Sequence, residues 1–79
     1  MSDLLDRVRA VVRSDYPGVL ADLDGGATFD TAGMDSLHVV GLLMALQQEF
    51  GVTMNGVDVD VDATLEDVVA LLRAKGVPA

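Results

Sequence analysis

Between Leu37 and Phe50 apolar residues recur at helical spacing on more than one face, and no other feature of the chain constrains its fold as strongly. Val39, Leu42, Leu43, Leu46 and Phe50 follow steps of three and four and form one stripe suited to a core. Leu37, Val40 and Met44 form a second stripe turned away from it. A helix with two apolar stripes needs cover on more than one side, either from flanking helices or from a partner. The second stripe is read here as partner-facing. Gly41 interrupts the helix at a cost of up to about 1 kcal/mol relative to Ala, and its missing side chain would let another backbone approach closely.

The other segments supply helices to pack with it. Leu4, Leu5, Val8, Val11 and Val12 make one amphipathic face and predict a helix over about 3–13, with Asp3 as its cap and Tyr16-Pro17-Gly18 as its stop. Residues 15–35 read as one long connection, tied down by Leu20, Leu23 and Phe29, with a turn of helix over 19–23. A turn signal at Met54-Asn55-Gly56 leads into Val57-Asp58-Val59-Asp60-Val61-Asp62, whose strict alternation looks like a strand. No second strand is available to pair with it, so a regular strand is not expected there. Thr64 with Asp67 resembles a capping box with Asp in place of Glu or Gln, and opens a last helix that Leu65, Val68, Val69, Leu71 and Leu72 carry to about 74. The expected fold is all-α, a small helix bundle.

Composition narrows the function. At 79 residues, 1–79 is expected to be a single domain, and a chain of this size buries only about 60% of its unfolded surface. Thirteen acidic residues against five basic ones give a net charge of −8, which argues against nucleic-acid binding and favours a basic protein partner. There is no cysteine, so any thiol chemistry must be imported. Residues 1–7 lack the basic region and apolar run of a secretory signal. The apolar stretch inside 37–46 is far shorter than the roughly 20 residues of a membrane span. The expectation is a cytoplasmic monomer without membrane insertion.

Asp35-Ser36 at the head of the long helix has a plain structural explanation, because both residues cap helices well and a carboxylate there suits the helix dipole. Nothing local activates Ser36 as a hydrolytic nucleophile: there is no Gly-x-Ser-x-Gly elbow, and His38 is the sole histidine. Asp58, Asp60 and Asp62 imitate the start of a calcium loop, but Ala63 and Val69 stand where Gly and Glu are needed. No metal site is expected.

Asp35-Ser36-Leu37, Val40 through Ala45-Leu46, Glu49-Phe50-Gly51, the Phe29 and Gly33 turn upstream and Thr64-Leu65-Glu66-Asp67 downstream occur in an order that resembles the acyl carrier proteins along nearly the whole chain. The resemblance implies a four-helix bundle with a long first loop and a short third helix or irregular turn at 57–62. It implies that Ser36 receives 4′-phosphopantetheine from coenzyme A, through a separate phosphopantetheinyl transferase, with Asp35 in support. Acyl groups would then be carried as thioesters on the arm, and the protein itself would not be an enzyme. Leu37, His38, Val40, Gly41, Met44 and Gln48 would meet partners: the transferase, an acyl-loading enzyme (acyltransferase or adenylating ligase), and a ketosynthase or other downstream enzyme.

The chain departs from the family where helix two of the fatty-acid carriers is rich in acid. Gly41, Gln47 and Gln48 are neutral, and Glu49 stands nearly alone. Likewise His38 replaces a residue that is often acidic, and Met54-Asn55 stands where Ile-Pro is frequent. These departures favour a free-standing carrier of a polyketide-type pathway. An aminoacyl or peptidyl carrier is the alternative, and an unmodified acidic helical interaction module is the alternative of another class.

Overall fold

The computed structural model describes residues 3–54 and 58–77. Among them the chain forms four α-helices: α1 (Asp3–Asp15), α2 (Leu20–Asp24), α3 (Ser36–Phe50) and α4 (Leu65–Ala74), with a 3-10 turn at Pro17–Val19 ahead of α2. No strand occurs among the described residues. The capping role expected of the Asp3 side chain, the Asn55-Gly56 turn and Val57 lie outside what the structure describes.

Helix α1 is the hub, packing against both α3 and α4 and also against α2. Its apolar face places Leu4, Val8 and Val12 fully in the core, where they meet Val39, Leu42, Leu43 and Leu46 of α3 and Leu65, Val68, Val69 and Leu72 of α4. Both long apolar helices thus bury one stripe against a common partner, which is the least area-costly way for three helices to share a small core. Arg7 lies over the Phe50 ring at 4.5 Å from its centroid and covers the end of that core.

The short helix of the bundle is α2, inside the first connection, and not an element after α3. Residues 58–62 turn without forming a helix. Their alternation is nonetheless obeyed by burial: Val59 enters the core while Asp58 and Asp60 face solvent. The backbone polar groups that a lone strand would leave open are met from the first connection, because Phe29 N–H donates to the Ala63 carbonyl at 3.0 Å and Asp30 N–H to the Val61 carbonyl at 2.9 Å. Helix α2 is also tied to α1: Arg9 grips the Asp24 carboxylate, with Nη2 donating to Oδ2 at 3.0 Å. The buried Nε makes an ion pair with Oδ1 at 2.9 Å, without a hydrogen bond.

The long connection is therefore a packed arm. Of the three expected ties Leu23 and Phe29 are buried, with Met34 beside them, whereas Leu20 is only half-buried against the core. Between Thr28 and Met34 the chain makes a tight loop, with Thr31 N–H donating to Thr28 Oγ1 at 3.1 Å and Met34 N–H to the Phe29 carbonyl at 2.9 Å. Gly33 closes the loop at φ 92°, a left-handed conformation in which a side chain would be strained. That closure delivers Asp35 to the head of α3.

Candidate functional site

At the head of α3 the two candidate caps divide their roles. Asp35 is the N-cap in extended backbone, φ −90° and ψ −178°, and its Oδ1 accepts the His38 N–H at 2.9 Å. His38 reciprocates, its Nδ1 accepting the Asp35 N–H at 3.4 Å, so the pair forms a capping box in which imidazole replaces the usual Glu or Gln. Ser36 is left as the first residue of the helix. It is exposed, and among the described residues its hydroxyl makes no hydrogen bond.

Electrostatically, Ser36 sits beside the unpaired N–H groups of the first turn of a 15-residue helix. No acidic residue lies within that turn, and the nearest carboxylate belongs to the cap. An anion joined to Ser36 would therefore meet the positive end of the helix, with the Asp35 carboxylate of the cap beside it.

The second apolar stripe of α3 is open. Leu37 is 79% exposed, Met44 57% and Val40 44%, so among the described residues no flanking helix covers them. Ser36 adjoins this stripe at its upper end. Gln48 is exposed one turn beyond Met44 and extends the stripe, while also lining a groove of about 370 Å³ between α1 and α3 with Val11, Ser14 and Ala45.

Gly41 behaves differently from the open-face residues. A Cβ placed there would lie 2.5 Å from the Tyr16 hydroxyl oxygen, so the close approach that its missing side chain permits is made by a phenol of the same chain. His38 is exposed on its outer side and touches the same ring edge-on, with ring centroids 6.0 Å apart at 65°. In the sequence Tyr16 stands out only as part of the Tyr16-Pro17-Gly18 helix stop. The one available signal was a helical glycine, which says that something approaches but not what.

Among the described residues no three metal-ligating side chains gather, and no helix is long and apolar enough to cross a membrane. What the fold presents instead is an exposed serine at a helix head beside an uncovered apolar stripe, the outline of a protein that is handled by others.

The model of the family described as "Phosphopantetheine attachment site" matches residues 6–72. Such a match defines a carrier with a covalently held prosthetic group. Over 75 residues the chain is 40% identical to the acyl carrier protein of Sinorhizobium fredii and to the acyl carrier protein AcpP of Rhizobium meliloti, covering 92% of this chain and 95% of each relative. It is 32% identical over 74 residues to the acyl carrier protein of Zymomonas mobilis, covering 91% and 94%. No solved structure gives a significant match. The chain belongs to the acyl carrier protein family. It bears 4′-phosphopantetheine covalently and is a carrier, not an enzyme, which displaces the alternative of an unmodified interaction module. Its family membership implies work with a phosphopantetheinyl transferase and with acyl-handling biosynthetic enzymes.

Proposed function

We propose that Ser36 is the attachment point and that the stripe beginning at Leu37 is the face by which partner enzymes hold the carrier. The observation that carries this reading is the division of roles at the head of α3: Asp35 takes the cap, which leaves the Ser36 hydroxyl exposed and uncommitted. In the transfer, Ser36 Oγ attacks the phosphorus of coenzyme A that bears pantetheine. The new O–P bond replaces the pyrophosphate link to the adenosine bisphosphate leaving group, and the serine proton passes to a base of the transferase. The residues fit the product, because the phosphodiester's charge falls at the positive end of α3. The arm supplies a terminal thiol, on which acyl groups travel as thioesters.

Leu37, Val40 and Met44 supply the apolar contact, and His38 and Gln48 border it; Gly41, expected on the same face, turns its missing side chain toward Tyr16 and is left out of the contact. Within α3 the only carboxylate is Glu49, so partners meet a face whose attraction is mostly apolar. That feature supports service in a dedicated polyketide-type pathway, whose enzymes need not present strongly basic docking surfaces. Intact-mass measurement after incubation with coenzyme A and a promiscuous phosphopantetheinyl transferase tests the attachment. One phosphopantetheine is expected on the native chain and none on Ser36→Ala; equal addition to both sinks the assignment. Mass analysis of the loaded carrier from its native host reads the cargo, and a fatty acyl chain alone would rule against the polyketide role.

A further inference from the structure

Tyr16 is held by its backbone on both sides: its N–H donates to the Val12 carbonyl at 2.7 Å, and its carbonyl accepts the Val19 N–H at 3.2 Å. From that fixed base its ring reaches across to α3. There it lies edge-on to His38 at 6.0 Å, and its hydroxyl occupies the notch above Gly41, one turn further along the helix. His38 in turn closes the capping box on Asp35 through a bond of 3.4 Å, at the long end of the hydrogen-bond range. A contact that long depends on the ring being kept in place, because a free imidazole on a helix surface has several rotamers to visit. The ring that restrains it is Tyr16.

We propose that Tyr16, seated in the Gly41 notch, is a positioning residue for the modification of Ser36, acting through His38 and the cap. This rests on Ser36 being the attachment point. The lock joins the exit of α1 to the first two turns of α3, so the orientation of the serine is set by a residue twenty positions upstream. Since the apolar stripe is left unchanged, disturbing the lock acts on the reaction of a bound carrier more than on its binding.

The geometry defines the test. A Cβ at position 41 would be 2.5 Å from the Tyr16 oxygen but 3.8 Å from Cζ, so Gly41→Ala evicts the hydroxyl while a ring without the hydroxyl can stay. Gly41→Ala is expected to lower kcat for phosphopantetheinylation by about fivefold with KM within about twofold, as misplacement of a reacting group does. The His38 ring-proton resonances should move as the Tyr16 ring current is lost. Tyr16→Phe combined with Gly41→Ala should restore both the rate and the His38 resonances. A Gly41→Ala carrier modified at native kcat, or a double variant as slow as the single one, overturns the proposal. If Gly41→Ala does not fold, Tyr16→Leu carries the test, and an unchanged kcat there also overturns it. A native chain that takes the group at another residue, or not at all, overturns the attachment reading instead.

Discussion

Phe29 is the sharpest test of whether the long connection is a packed arm. Its side chain is fully buried, its N–H donates to the Ala63 carbonyl at 3.0 Å, and its carbonyl accepts the Met34 N–H at 2.9 Å just ahead of the cap. Replacing it with alanine leaves the backbone bonds possible but empties the site, and such truncations cost about 3–5 kcal/mol. At roughly 0.05–0.15 kcal/mol per residue, a chain of 79 residues has about 4–12 kcal/mol in total. The loss is therefore a large fraction of stability. With m near 1 kcal/mol/M in urea, the midpoint should fall by about 3–5 M, or the folded baseline should vanish. Phe29→Leu, which keeps most of the volume, should cost less than about 1.5 kcal/mol. The assay is urea unfolding followed by far-UV circular dichroism. A loss under about 1 kcal/mol for Phe29→Ala would refute the reasoning, since it would mean that the connection does not help to hold the bundle.

Other substitutions probe separate parts of the structure. Met44→Glu, at a side chain 57% exposed, should change stability by less than about 0.5 kcal/mol while impairing acyl loading in a kinetic assay with the partner enzyme; unfolding would show that the face is misassigned. Thr64→Ala removes the hydroxyl that accepts the Asp67 N–H at 3.3 Å and should cost about 1 kcal/mol, seen as a melting temperature lowered by roughly 4–8 °C. Asp24→Asn weakens a half-exposed ion pair with Arg9; it should cost at most about 1 kcal/mol and the difference should shrink at high salt, whereas a salt-independent loss would point to packing.

Much of this architecture could be read locally. The last helix begins at the predicted Thr64–Asp67 box and ends at Ala74, and the long helix ends at Phe50 where Gly51 turns left-handed at φ 67°. Caps and helical periodicity involve residues a few positions apart, so a short window contains all the relevant partners. The first helix runs to Asp15, two residues past the predicted end, because the chain stays helical until the segment before Pro17. Alternation at 57–62 did not make a strand: where the structure describes the segment, Val59 is drawn into a helical core, and the backbone is satisfied by residues 29 and 30 from the other side of the chain. Those contacts span more than thirty positions, beyond any local pattern.

The site divides in the same way. The residues that make Ser36 a helix head with a charged cap, and the two stripes of α3, are written in consecutive positions, because helix geometry converts spacing directly into facing. By contrast, only tertiary structure decides which stripe is covered. That depends on α1 packing against one side of α3 while, among the described residues, no element covers Leu37, Val40 and Met44 on the other, a choice made by the whole set of buried side chains and not by α3 itself. Tertiary structure also decides what fills the space above Gly41. A missing side chain records only a vacancy in the sequence; the fold brings Tyr16 into it and so connects a residue at the end of α1 to the serine at the start of α3.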